Sequence, residues 1–295
     1  GRRAGSEYVI RRSHINNPLV CHHSHNFEHA SHVALSANKL IKRIISPDEV
    51  GNNQSNEKKK VNNKGKIEAY AADLHNSTFG ISSDPLTQFS IVFAALVHDV
   101  EHFGVPNSQL VKEQHQIAVK YSNKSVAEQH SVDLALATLS DPKYRELQHC
   151  ICYSEGERLR FRQLLINSVL ATDIVDKELR LLRKNRWTKA FSEPSQALAS
   201  NEDANRKATI VLEHIIQASD VAHTMQHWHI FCKWNEKLYQ EMYIAYLDGR
   251  AEKDPSSGWY EGKKLSVIIY VRTLQGSTMH LFQARLGSLI TILFR

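Results

Sequence analysis

The chain has 295 residues, 42% of them hydrophobic and 23% charged, with a net charge of +6. This length and balance are ordinary for a soluble globular protein and allow a large buried core, as one big domain or two smaller ones. The basic residues are scattered, and their tightest run, Lys58-Lys59-Lys60, lies among Asn, Ser and Gly. With no accompanying motif, that argues against a nucleic-acid polymer as partner.

In chain order, Phe27–Ile45 has helical periodicity, with Val33, Leu35, Leu40, Ile41 and Ile44 on its apolar stripe. Pro47–Lys66 reads as an exposed loop, Ile67–Leu74 as a short helix and Asn76–Pro85 as a turn-rich connection. An apolar helix over Leu86–Glu101 follows, and Gly104 and Pro106 stop it. Ser108–Tyr121 is the next helix. Ser125-Val126-Ala127-Glu128 fits a capping box that opens a helix to Leu139, which Asp141-Pro142 closes. Further helical patterns cover 143–152, 156–183 and 203–248. Only Val267–Val271 has strand propensity. No repeat or linker is visible, so the expected fold class is all-α, a single compact multi-helix domain.

The four cysteines, Cys21, Cys150, Cys152 and Cys232, show no framework spacing, which predicts reduced thiols and a cytoplasmic location. No apolar run approaches the roughly 18–20 residues of a membrane span. The chain opens on Gly1 without a secretory signal. That is the expectation for a domain of a longer protein, with room for a flanking membrane or cyclase domain, in which case this is its cytosolic part.

Histidine is the outlier: there are seventeen, many of them clustered at 22–32, 98–115 and 214–229. Imidazole is the commonest metal ligand. Within Leu96-Val97-His98-Asp99-Val100-Glu101-His102-Phe103-Gly104, an adjacent His-Asp pair ends the apolar run, and His98 and His102 are i,i+4 on one predicted helix face. His25 and His29 repeat that spacing. A lone helical His is more often a surface or satisfied core residue than a ligand; two such pairs, one with His-Asp, raise the weight of a metal site. Asp220 sits in a partly apolar helix with Ile210, Val211, Ile215 and Ile216. A buried carboxylate must be paired or bound to metal, so its alternatives are a ligand role or a salt bridge to Arg or Lys.

The ordered set His25-Asn26-x-x-His29-Ala30, His98-Asp99-Val100-x-His102-x-Gly104-Val105-x-Asn107, Ser125-Val126-Ala127-Glu128, Ala171-Thr172-Asp173 and Ala218-Ser219-Asp220 resembles the catalytic domain of class I 3′,5′-cyclic nucleotide phosphodiesterases, members of the HD-domain metallohydrolases. The agreement covers about residues 17–262. The resemblance implies hydrolysis of cAMP or cGMP to the 5′-monophosphate by a metal-bridged hydroxide, with two divalent ions. By position, His29, His98, Asp99 and Asp220 would hold the tighter ion, usually zinc. Asp99 would bridge to a second, magnesium or manganese, held mostly through water. His102, Glu128 and Thr172 would hydrogen-bond those waters. His25 would be the general acid that protonates the departing 3′ oxygen. Asn107 and His223 would contact substrate, His223 standing where the family often has Asn.

The chain departs from the pattern in two places. Ser24 precedes the general-acid position, where the family usually has Tyr. After Asp254-Pro255-Ser256-Ser257-Gly258-Trp259-Tyr260-Glu261-Gly262, the family's purine-binding Gln and stacking Phe do not follow; the chain reads Lys263-Lys264-Leu265-Ser266-Val267-Ile268-Ile269-Tyr270. This divides the chain into a catalytic domain over 1–262 and a divergent segment over 263–295, from an altered reading frame, an alternative exon or divergence. Two other readings stay open: a non-catalytic or damaged signalling module that retains the metal site, and an HD phosphohydrolase of another nucleotide.

Overall fold

The computed structural model describes residues 24–44, 68, 71–72, 74–191 and 201–255. The expected loop at 47–66, most of the short helix at 67–74, the strand at 267–271 and the segment after Gly262 lie outside the described residues. Those described form helices and turns with no strand, as an all-α fold requires. In order, the helices are α1 (Phe27–Ile44), α2 (Pro85–Val97), α3 (Asn107–Lys112), α4 (Gln116–Lys120), α5 (Val126–Leu139), α6 (Arg145–Ile151), α7 (Glu155–Leu170), α8 (Lys177–Phe191), α9 (Asn201–Asp220) and α10 (Trp228–Leu247).

Four helices build the main core. Val33, Ala37 and Ile41 of α1 meet Ile91, Ala94 and Ala95 of α2, Phe161, Leu165 and Val169 of α7, and Leu212, Ile215 and Ile216 of α9. The four-residue spacing on α1 gives one buried stripe. Leu35 falls off that stripe and is exposed, against the sequence expectation. Helix α2 is apolar around most of its circumference because α1 and α7 both pack on it. Asp84 caps its start by accepting from the Thr87 N–H at 3.3 Å, Pro85 occupies the first turn, and Arg160 of α7 pairs with the same carboxylate. A smaller cluster, Val105, Leu110, Ala118, Val126 and Ala245, joins α3, α4, α5 and α10.

Leu165 is fully buried in the main core. Leu165→Ala is expected to cost about 2–5 kcal/mol in urea unfolding, through lost burial and a residual cavity. Leu159→Ala, on the exposed face of the same helix, is expected to change stability by less than about 0.5 kcal/mol.

Several predicted helices are broken, each break placing a polar side chain. Helix α2 ends at Val97, so His98 to Glu101 form a turn, and Glu101 adopts φ +57°. His98 and His102 therefore do not share a helix face. The 108–121 helix is two short ones. The 156–183 helix breaks at Ala171, because Asp173 accepts from the Asp176 N–H at 3.1 Å and Asp176 in turn caps α8. The 203–248 helix breaks after Asp220 into a 3₁₀ turn over Ala222–Met225. Ser125 is not a capping-box residue. It takes a left-handed conformation (φ +38°), and its hydroxyl donates to Asp173 Oδ2 at 2.8 Å. The capping box is at Ser154 and Glu157, opening α7.

Candidate functional site

Three helix ends converge at one point. Asn26 precedes α1 and accepts from the His29 N–H at 3.0 Å, which fixes the first turn that carries His29. His98 and Asp99 leave the C-terminal end of α2, and Asp220 is the last residue of α9. The His29, His98, Asp99 and Asp220 side chains each place one nitrogen or oxygen within 4.8 Å of the others. His29 Nε2 lies 3.1 Å from Asp220 Oδ1 and 3.5 Å from Asp99 Oδ2. His98 Nε2 lies 2.9 Å from Asp99 Oδ2 and 3.4 Å from Asp220 Oδ1. The salt bridge to Arg or Lys, the bland alternative for Asp220, is not what the carboxylate faces: its ion-pair partners are the two imidazoles.

The donor set fits a divalent cation. His98 is 1% exposed, and its Nδ1 lies 2.9 Å from the Ala95 carbonyl. A carbonyl only accepts, so Nδ1 carries the proton and Nε2 of the neutral ring presents its lone pair. That buried Nε2 has no hydrogen-bond partner, although two carboxylate oxygens are close. A buried ring nitrogen facing carboxylates needs positive charge between them, which either a proton or a metal ion supplies. Two imidazoles and two carboxylates are a ligand set for zinc or a similar ion.

The titration behaviour points the same way. Burial works against an imidazolium at His29, yet hydrogen bonds to Asp220 and Asp99 outweigh it and hold the ring up at about 9. His98 stands well above the ordinary histidine value, burial again being outweighed, here chiefly by the Asp99 charge. Burial would raise Asp99 and Asp220, but the adjacent imidazoles hold both well below the usual carboxylate range. The pocket thus favours added positive charge, which a metal ion supplies in place of protons.

His25 borders this centre, its ring 6.1 Å from that of His29. Glu241 of α10 holds it: His25 Nδ1 lies 2.8 Å from Oε1 and 3.0 Å from Oε2. Burial opposes the charged form of His25, but Asp99 and Glu241 raise it above the ordinary value. Glu241 itself is held down to about 2, burial being outweighed by His25. The His102 ring lies against that of His25, centroids 3.8 Å apart and planes inclined by 33°.

His25, His102 and Glu241 also approach the spacing of a metal site. One feature weighs against an ion there: the Gly104 N–H donates to His102 Nδ1 at 3.2 Å, leaving the proton of the neutral ring on Nε2.

The remaining expected residues form the surroundings. Asn107 ties α3 to α5: its Oδ1 accepts from the Ala127 N–H at 2.9 Å and its Nδ2 donates to Glu128 Oε2 at 2.8 Å. Burial and the nearby Asp173 push Glu128 up to about 7. The Thr172 hydroxyl donates back to the Val169 carbonyl at 2.7 Å. His223 stands in the 3₁₀ turn after Asp220, its ring 6.3 Å from His29, and burial lowers it to about 4.

Glu241 escaped the sequence reading. The signal was present: Phe231, Trp234, Glu241 and Ala245 are the buried positions of α10, so the carboxylate stands where helical periodicity calls for an apolar residue. The reasoning applied to Asp220 finds it too.

A family model described as 3′5′-cyclic nucleotide phosphodiesterase matches residues 24–258. Over 183 residues the chain is 28% identical to the probable 3′,5′-cyclic-AMP phosphodiesterase pde-4 of Caenorhabditis elegans, a match covering 58% of this chain and 26% of that protein. It is 26% identical over 154 residues to the dual specificity calcium/calmodulin-dependent 3′,5′-cyclic nucleotide phosphodiesterase 1B of Bos taurus, covering 52% of this chain and 26% of that one. The chain therefore spans about a quarter of the length of these curated relatives. The crystal structure of the phosphodiesterase domain of the RhoPDE fusion protein from the choanoflagellate Salpingoeca rosetta superposes with a TM-score of 0.59 at 16% identity, over 94% of this chain and 75% of that one. That likeness shows the fold.

Proposed function

This chain belongs to the 3′,5′-cyclic nucleotide phosphodiesterase family, and from that premise we propose that it hydrolyses cAMP, cGMP or both to the 5′-monophosphate, with dependence on divalent metal. The observation that carries the reading is the convergence of His29, His98, Asp99 and Asp220 around the unpartnered Nε2 of His98. In this proposal those four residues hold the tighter ion, zinc. Asp99 would also serve a second ion, magnesium or manganese, and His102, Glu128 and Thr172 would hold its water ligands. When bound, such ions make water nucleophilic at neutral pH and screen the phosphate charge.

The chain's own residues do the rest. The departing 3′ oxygen is a poor leaving group as an alkoxide, so it must receive a proton. His25 supplies it. Glu241 fixes the proton on Nδ1 and stabilises the imidazolium, leaving Nε2–H as the donating end. Asn107 holds Glu128 in place and so orients a group that a bound water would use. His223, neutral at physiological pH, is the substrate-facing residue after Asp220. The free thiols Cys150, Cys152 and Cys232 support a cytoplasmic setting.

One observation favours a second reading. No Gln or Phe follows Gly262 at the expected positions, which suits a module that keeps the metal centre and turns substrate over poorly. Activity separates the two. The purified chain, stripped with chelator and reloaded with zinc and magnesium, is expected to convert cyclic nucleotide to the 5′-monophosphate and to do so only when reloaded. A folded, reloaded chain that released no product would favour the second reading; full turnover after stripping would overturn the metal dependence.

A further inference from the structure

Ser24 does more than precede His25. Its backbone N–H donates to Glu241 Oε2 at 3.1 Å, its hydroxyl donates to the same oxygen, and the hydroxyl oxygen lies 3.0 Å from His25 Nδ1. The His25 N–H adds a longer bond to Oε2 at 3.4 Å. Ser24 and Glu241 are 217 positions apart in sequence, and both are buried. One short side chain therefore bridges the carboxylate and the ring nitrogen that the carboxylate serves. Tyrosine, with its hydroxyl at the far end of a ring, cannot fold back onto the next residue in this way.

We propose that Ser24 is a positioning residue for His25, fixing the Glu241 carboxylate and the imidazole in one orientation so that the proton-donating edge faces the metal centre. This rests on the phosphodiesterase reading above. Serine is not a nucleophile in this arrangement. In a Ser-His-acid relay the hydroxyl and the carboxylate occupy opposite ring nitrogens, whereas here both meet Nδ1. Nor does Ser24 replace Glu241, since a neutral hydroxyl does not stabilise an imidazolium as a carboxylate does. Its contribution is geometric: without it, the carboxylate keeps its two backbone donors and its contact with His25 Nδ1 but loses the hydroxyl that holds carboxylate and ring together from one side.

The test uses two substrates and two variants. One substrate is the cyclic nucleotide, whose alkoxide leaving group needs a proton. The other is a p-nitrophenyl phosphodiester, whose phenolate leaves without one. Ser24→Ala is expected to lower kcat on the cyclic nucleotide about 10–100-fold, the size seen when a group that orients a metal ligand is removed, with KM within about twofold. The aryl ester rate should stay within about twofold. Ser24→Thr, which keeps the hydroxyl, should recover most of the loss. An unchanged kcat in Ser24→Ala, an equal loss on both substrates, or no rescue by threonine would overturn the proposal. If the unmodified protein turns over neither substrate, the phosphodiesterase reading fails instead. Ser24 is then read by ¹⁵N NMR of the His25 imidazole, assigned with His25→Gln: a shifted Nδ1 resonance in Ser24→Ala supports the positioning role, and an unshifted one refutes it.

Discussion

Asp220→Ala is expected to lower kcat/KM on cyclic nucleotide by at least about 10³-fold while the helical circular dichroism stays native. The size follows from position. Groups that only orient a metal ligand cost about 10–100-fold when removed, and Asp220 is proposed as a ligand itself. Its Oδ1 lies 3.1 Å from His29 Nε2 and 3.4 Å from His98 Nε2, so one oxygen closes the contact between α1, α2 and α9. Without it, the two imidazoles keep only Asp99 as a counter-charge. The fold should survive because the core beneath rests on Ile215 and Ile216 of the same helix, which the substitution leaves untouched. Metal content, measured by mass spectrometry on the dialysed protein, should fall with activity. A variant that kept its metal and its activity would remove Asp220 from the centre.

His25→Gln is the second large effect, and its signature is selective. General acid catalysis contributes about 10²–10⁴-fold, and that loss is expected on the cyclic nucleotide, with its alkoxide leaving group. A p-nitrophenyl phosphodiester should lose less than about tenfold, since its leaving group departs unprotonated. Metal content should be unchanged, because His25 is bound to Glu241 and set against His102 and not placed among the four converging ligand atoms. Equal losses on both substrates would mean that His25 shapes the site without donating a proton.

Much of this was legible in the sequence because metal chemistry restricts residue types. His98-Asp99 beside an apolar run and Asp220 inside one pointed to buried charge, and the structure brings both to one place. The all-α architecture was legible from periodicity. Local backbone detail was not. The i,i+4 spacing of His98 and His102 suggested one helix face, but α2 stops at Val97 and Glu101 turns left-handed, so the two rings serve different clusters. Ser125 and Glu128 carried the local signature of a capping box, yet long-range partners, Asp173 and Asn107, claim both side chains. Tertiary hydrogen bonds outcompeted the local one, and no window of sequence shows them. Glu241 was hidden for a related reason: it reaches His25 from 216 positions away.

The central claim is that His29, His98, Asp99 and Asp220 bind one divalent ion together. Anomalous diffraction at the zinc edge, from crystals of the full chain grown with zinc, tests it most directly. The expected result is a peak bonded to Nε2 of both histidines and to an oxygen of each aspartate, at the roughly 2.0–2.2 Å of zinc–nitrogen and zinc–oxygen bonds. An ordered protein with those four side chains in place and zinc bound elsewhere, or at none of them, would contradict it.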